Sequence, residues 1–453
     1  MKFNEFKELV MAAASANGLN EYDLYYSEGE SLSVEALHHD INAFSTSTSA
    51  GACFRCIYKG KLGSAATELF TAEEAQRIVE SAMDNADAIE NNESAFIHPA
   101  GDTYQQMDPV TTTEPTAAQL IDLVMTTQEA AYQQDPRVID GTQSMAQFSR
   151  GGVSLCNSKG LDLSYQYDYT VALCFPVVKV QDEMFDGIKM QADNFTNFQP
   201  AELAAKAVEE AVATIGADTI ETGKYDIVFS NKMTATLLST LLSTFLSAFS
   251  AQAAQRGISL WKDKVGQSVA SPLVTITDDP AYEGNLVRVP FDSEGVATYR
   301  KDVVKDGQLI TLLHNLSTAS KAGVTSTGNG AKAGYAAPVA IMPYNFYMKK
   351  GTAGTREDIF QTIGNGIYIT KLDGLHAGAN PASGDFSLSA AGFLIKDGKK
   401  DRPLKNFTIS GNFYQLMKDV AMVGSDLEFQ MPRGTSCFGG PSIMVKEMAV
   451  AGK

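Results

Sequence analysis

The chain has 453 residues, 44% apolar and 20% charged, with a formal net charge of −17 at pH 7. That length calls for two or three cores, and the composition is that of a folded globular protein. An acidic excess of this size repels phosphate backbones, and no run of about 18 apolar residues occurs, so neither nucleic acid nor a membrane is an expected partner.

Phe3, Phe6, Leu9 and Val10 recur at helical spacing. Met11-Ala-Ala-Ala-Ser-Ala16 has the look of a signal-peptidase site, but Glu5 and Glu8 interrupt the leader that would precede it. The segment therefore reads as an amphipathic surface helix. From Tyr22 to Thr67 the pattern alternates, with pieces at Asp23–Ser27, Ser31–Ala36, Cys53–Tyr58 and Lys61–Ala66. These predict antiparallel strands joined by glycine-containing turns. Thr71-Ala-Glu-Glu74 is a capping box that opens a second helix. A polar stretch from Glu93 to Pro115 reads as a linker, residues 117–132 as a helix, 138–195 as strands, and about Pro200 to Ile215 as a helix.

Gly223–Phe229 is a short apolar strand, after which Ser230 or Asn231 caps a helix expected to run to about Arg256. Leu237, Leu238, Leu241, Leu242, Phe245, Leu246 and Phe249 form one apolar stripe on it, and the other face is Ser, Thr and Ala. No charge lies between Lys232 and Arg256, so the helix is expected to be buried on most sides. The rest is glycine-rich with short strands, apart from a helix near Asn412–Val423. The expected fold class is α+β: an N-terminal helix–antiparallel-sheet–helix region (1–95), a central α/β region (110–218) and a β-rich C-terminal domain (222–453) entered by that long buried helix.

Five cysteines, Cys53, Cys56, Cys156, Cys174 and Cys437, are too few and too odd in number for a disulfide framework, so a reducing, cytoplasmic setting is expected. Cys53-Phe-Arg-Cys56 lies on a strand pattern, where residues three apart face opposite ways. Asp292 and Glu294 are a candidate carboxylate pair, read either as part of a turn ending at Gly295 or as a grip for a peptide amine or a partner's basic residue. Gly328 and Asn329 sit in Ser326-Thr-Gly-Asn-Gly330; with Gly334 the glycine spacing misses the dinucleotide fingerprint by one residue. Asp385 and Ser387 follow a turn and either pack it or line a groove for an extended peptide. Serine-hydrolase elbow and Walker motifs are absent from the sequence.

Taken in order, Phe291-Asp-Ser-Glu-Gly295, Ser326-Thr-Gly-Asn-Gly330, Asn380-Pro-Ala-Ser-Gly-Asp-Phe-Ser387 and Ser410-Gly-Asn412 resemble the TldD/PmbA family. The resemblance implies a zinc peptidase scaffold whose catalytic members carry His-Glu-x-x-x-His on the helix before a Gly-x-Ser segment, here matched by Gly257-Ile-Ser259. Counting back without gaps puts Leu242, Ser243 and Ser247 where the first histidine, the glutamate and the second histidine would stand, and residues 220–260 contain no histidine. That chemistry needs two imidazoles about a turn apart and a carboxylate to deprotonate the attacking water. The cysteine ligand of catalytic relatives falls near Leu427, and Cys437 is not its equivalent. The resemblance is therefore to the PmbA (TldE) branch. It implies a subunit with no cofactor of its own, paired with a zinc-bearing TldD-like partner or with itself, and serving extended peptides.

Overall fold

The computed structural model describes residues 1–90, 95–107, 112–239 and 246–453. The strands of the first half join into one antiparallel sheet. They are β1 (Tyr22–Leu37), β2 (Asp40–Tyr58), β3 (Lys61–Thr67), β4 (Gln143–Asn157) and β5 (Asp162–Phe175). After a small ladder of β6 (Val177–Val180) and β7 (Glu183–Asp186) comes β8 (Lys189–Asp193), and the sheet order is β3-β2-β1-β4-β5-β8. The strand pieces expected on either side of Gly29 and Gly51 are continuous: β1 and β2 run straight through these glycines. The turn between them falls instead at His38 and His39, with φ of 55° and 59°. Two left-handed residues in succession match the twist that a tight hairpin demands.

Alternation along β1 sends its side chains to two different layers. Leu24 and Tyr26 pack under α1 (Phe3–Ala16) and α2 (Ala72–Ala88). Val34 and Ala36, further along the same face, pack under α3 (Ala117–Gln134) and α4 (Pro200–Val212). Tyr25 on the opposite face joins Leu155 and Phe291, so the C-terminal half covers that side. Of the first-helix residues, Phe6 and Val10 are buried but Leu9 is exposed. The stretch read as a linker is docked where it is described: Ile97 is buried, and Asn157 Nδ2 donates to the His98 carbonyl at 2.7 Å.

In the C-terminal half, β9 (Gly223–Phe229) lies between the strands Gly366–Asp373 and Ile443–Ala451. Lys399–Asn412 pairs with both Asp385–Lys396 and Ile443–Ala451, which closes these strands into a barrel. A second six-stranded sheet, including Ile276–Asp278 and Asn345–Met348, packs beside it. Together they form the largest core, with Phe229, Phe249, Phe346 and Phe407 fully buried. A mixed α+β fold with a β-rich C-terminal half agrees with the sequence expectation.

The single long helix to Arg256 is not found. α5 (Asn231–Ser239) and α6 (Leu246–Phe249) are followed by Ser250 in an extended conformation, with φ −85° and ψ 122°. Its hydroxyl accepts the Ala253 amide and starts a separate α7 (Ala251–Gln255). A serine that caps by bonding to the backbone competes with continuing a helix, and apolar periodicity does not register that competition. The helix expected to reach Val423 likewise stops at Asp419 and gives way to the strand Val420–Val423.

Candidate functional site

The position matched to a zinc motif comes first. Leu242 and Ser243 lie outside the described residues. Around them, Leu237, Leu238, Leu246 and Phe249 are buried in the main core. Ser247 borders a small cavity of about 160 Å³ together with Ser250, Gln252 and Arg256. Ser239 Oγ meets Gln430 Oε1 at 2.9 Å, and Gln430 Nε2 donates to Thr236 Oγ1 at 2.7 Å, so a carboxamide ties α5 to the following sheet. The Cys437 Sγ donates to the Gln430 carbonyl at 3.0 Å, and burial pushes this thiol up to about 12. Zinc is held by thiolate, neutral imidazole or carboxylate. The described residues here offer one thiol, hydroxyls, an amide and leucines, a donor set that does not fit zinc. No group of three or more His, Cys, Asp or Glu stands ready for a metal among the described residues.

Asp292 and Glu294 belong to a tight turn. Asp292 N donates to the Val296 carbonyl at 2.9 Å, and Gly295 takes φ of +85°, which suits glycine. The turn presses into the face of the first sheet and is fully enclosed: Asp292 is 1% exposed and Glu294 6%. Asp292 Oδ1 accepts the amides of Glu294 (2.9 Å) and Val296 (3.0 Å), and Oδ2 accepts that of Gly330 (2.8 Å). Glu294 Oε2 accepts the Leu316 amide at 2.8 Å, and Oε1 lies 3.9 Å from Arg55 Nη1. Arg55 itself is committed to Asp23, with Nε donating to Oδ1 at 2.9 Å. Two buried carboxylates, Asp23 and Glu294, thus share one buried guanidinium, and Asp292 lies beside Glu294. Burial first, and the Glu294 charge second, push the Asp292 carboxyl up to about 8. Glu294 is also raised by burial, with Arg55 pulling it back.

The structure brings Gly328 and Asn329 next to this turn. A Cβ on Gly330 would sit 2.6 Å from Glu294 Oε2, and one on Gly328 would sit 2.7 Å from the Ala297 carbonyl. Asn329 is fully buried; its Nδ2 donates to Asp278 Oδ2 (2.8 Å), which also takes Lys301 Nζ (3.0 Å). Asp385 and Ser387 stand elsewhere, exposed on a barrel strand. Asp385 Oδ1 accepts Asn412 Nδ2 at 2.8 Å, and Ser387 lies opposite Ser410 at 3.2 Å between hydroxyls. The six candidates therefore form an enclosed joint and a separate open strand face.

One feature escaped motif reading. Between the two helix pairs, the first sheet is left bare by a trough of about 330 Å³, lined by Glu28, Glu30, Thr48, Ala50, Arg150 and Gln166. Arg150 meets Glu30 and Glu114 at 2.9 Å and Asp168 at 3.5 Å. Its members come from four strands and have no sequence spacing in common. Only the strand register, Glu30 opposite Thr48 and Arg150, could have found it.

The PmbA/TldA metallopeptidase C-terminal domain matches residues 222–452, domain 1 matches 22–86 and the central domain matches 111–215. The chain belongs to the TldD/PmbA family. It is 24% identical over 333 residues to a metalloprotease PmbA homolog of Haemophilus influenzae, covering 73% of this chain and 69% of that one. It is 27% identical over 408 residues to an uncharacterized protein of Methanocaldococcus jannaschii, covering 88% and 90%. A putative modulator of a DNA gyrase from Thermotoga maritima superposes with a TM-score of 0.88 at 29% identity, over 99% of this chain and 100% of that one. TldE from Thermococcus kodakarensis shares the fold, with a TM-score of 0.87 at 21% identity over 98% and 99%.

Proposed function

We propose that this TldD/PmbA chain is a non-catalytic, PmbA/TldE-like subunit of a TldD/TldE-type zinc metallopeptidase assembly. The zinc belongs to a TldD-like partner, this chain completes the enclosure, and the substrates are unfolded or extended peptides. The observation that carries the reading is the donor set at the helix following β9: no histidine between residues 220 and 260, and leucines packed in the core on either side of the matched position. Asp292 and Glu294 act as the joint that holds the two halves of the subunit, and Asp385 and Ser387 remain available to an extended chain. A cytoplasmic setting is supported by five free cysteines, all of them buried.

A second reading, a homodimeric peptide- or ligand-binding protein that has lost metallopeptidase chemistry, is favoured by one observation: β3 pairs with β2 only at Ala52–Tyr58, so among the described residues Ile41–Gly51 has no strand on its outer side. Affinity capture of the tagged chain from its native cell separates the two. The subunit reading expects a stoichiometric partner carrying His-Glu-x-x-x-His, and peptide cleavage by the pair but not by this chain alone. Recovery of this chain without such a partner, or metal-dependent cleavage by the purified chain, overturns it.

A further inference from the structure

Asp278, Lys301 and Asn329 form a polar cluster inside the C-terminal half. They are 0%, 7% and 0% exposed. Lysine and aspartate are almost never enclosed to this degree unless they are paired. Here Lys301 stands directly opposite Asp278 in the ladder between neighbouring strands. One carboxylate oxygen, Asp278 Oδ2, takes both Lys301 Nζ at 3.0 Å and Asn329 Nδ2 at 2.8 Å. The other, Oδ1, accepts the Tyr344 amide at 2.8 Å, which fixes the carboxylate in place. The carboxamide is fixed as well. Asn329 Nδ2 also donates to the Met342 carbonyl at 2.9 Å, and Oδ1 accepts the Thr327 hydroxyl at 2.8 Å. Among the described residues, Lys301 Nζ has no hydrogen-bond partner but Asp278, and it stands 4.6 Å from the centre of the Tyr299 ring.

A buried ion pair needs only the lysine and the aspartate. The third member is what asks for chemistry. An amine and a carboxamide nitrogen on one carboxylate oxygen are a nucleophile and a leaving group with a single acid–base group between them. We infer that Lys301 and Asn329 become joined by an amide bond between Nζ and Cγ, with Asp278 as the catalytic acid and base.

The bond forms without a second substrate. A proton first moves from Lys301 Nζ to Asp278 Oδ2, since an enclosed site disfavours both charges. The neutral amine attacks Asn329 Cγ, whose carbonyl the Thr327 hydroxyl polarises. Asp278 then gives its proton to Nδ2 and takes a second one from Nζ. The Cγ–Nδ2 bond breaks and ammonia leaves. The products are a neutral amide and a protonated Asp278, so atoms and charge balance and no oxidant or co-reactant is consumed. The reaction also removes a buried ion pair, whose desolvation is costly. Fixed proximity supplies the rate. The new bond ties the strand Lys301–Lys305 to the segment Ser326–Gly330, whose Gly330 amide is held by Asp292. The joint between the two halves would then be held covalently on its C-terminal side.

The test reads the mass of the purified full chain under denaturing conditions, so it needs no zinc-bearing partner, and its failure leaves the subunit reading standing. The wild type is expected to be lighter than its sequence by one ammonia. Trypsin, which cuts after unmodified lysine and arginine, is expected to spare Lys301 and to release Lys301–Lys305 linked to Ala322–Lys332. Lys301→Arg keeps the cation but offers no neutral amine, and is expected to show the full mass. Asp278→Asn keeps the shape, removes the acid–base group, and is expected to leave Lys301 open to trypsin. A wild type of full mass overturns the inference, as does an Asn329 found unlinked or converted to aspartate. So does an ammonia loss that persists in Lys301→Arg, or a loss of water that joins Lys301 to Asp278 instead. If a variant fails to fold, the peptide map of the wild type decides alone.

Discussion

The C-terminal strands close on themselves where Lys399–Asn412 meets Ile443–Ala451, whereas on one side of the N-terminal sheet no strand among the described residues pairs with Ile41–Gly51 of β2. Both sheets carry apolar cores, so the difference does not lie in hydrophobic content. The barrel keeps its backbone groups paired internally. The first sheet uses one face for four helices and the other for the C-terminal half, and leaves its backbone edge to the outside. A chain can thus be self-sufficient in its side-chain packing and still incomplete in its strand pairing.

The sharpest way to break this arrangement is at the joint between the regions. Arg55→Ala leaves Asp23 and Glu294 buried without a cation. A loss of about 3–5 kcal/mol is expected in urea unfolding. Glycine-to-alanine changes compare the two sheets directly. A Cβ on Gly392 in the barrel would stand 1.9 Å from the Tyr368 carbonyl, whereas one on Gly29 in β1 finds Ser49 Oγ at 3.4 Å. Gly392→Ala is expected to cost about 1–3 kcal/mol. Gly29→Ala is expected to stay within about 0.5 kcal/mol. Equal losses for the two would contradict the packing described.

The joint also predicts a pH dependence. A carboxyl with a folded pKa above its unfolded value holds its proton more tightly when folded. Its stabilising contribution is complete below the ordinary carboxylate range near 4 and is lost as pH rises. For Asp292 that loss extends through about 8. Thermal midpoints should fall across this window, and Glu294→Gln, which removes the neighbouring negative charge, should flatten the decline. The smallest effect is expected at Phe44, which is 50% exposed. Phe44→Ser should leave stability in urea unfolding within about 0.5 kcal/mol.

Local patterns in the sequence carried far. The capping box at Thr71, the helices at α3 and α4 and the strand Gly223–Phe229 all follow from periodicity and caps. The Asp292–Gly295 turn was legible as a turn, because glycine follows two short acidic residues. Its burial was not, because enclosure depends on Arg55, more than two hundred residues earlier. Gly29 and Gly51 misled for a related reason. Glycine signals a turn in isolation, but inside a sheet it signals a close neighbour, and Tyr335 packs where a Gly51 side chain would be. The helix break at Ser250 was hidden by an apolar stripe that is blind to serine capping. The trough and the free edge of β2 have no sequence signature, since both are consequences of strand order.

That strand order has a consequence for how the chain is made. β1 and β2 leave the ribosome early, yet the second neighbour of β1 is β4, which follows only after β3, α2 and α3. Until Gln143–Asn157 emerges, the nascent hairpin has an open flank along β1 as well as the one along β2. Pairing across such a sequence separation is slow, and strands left waiting are templates for misassembly. The N-terminal half is therefore the part of this protein whose strand edges stay unpaired longest during synthesis, and its first sheet cannot be completed by a truncated chain that stops short of β4.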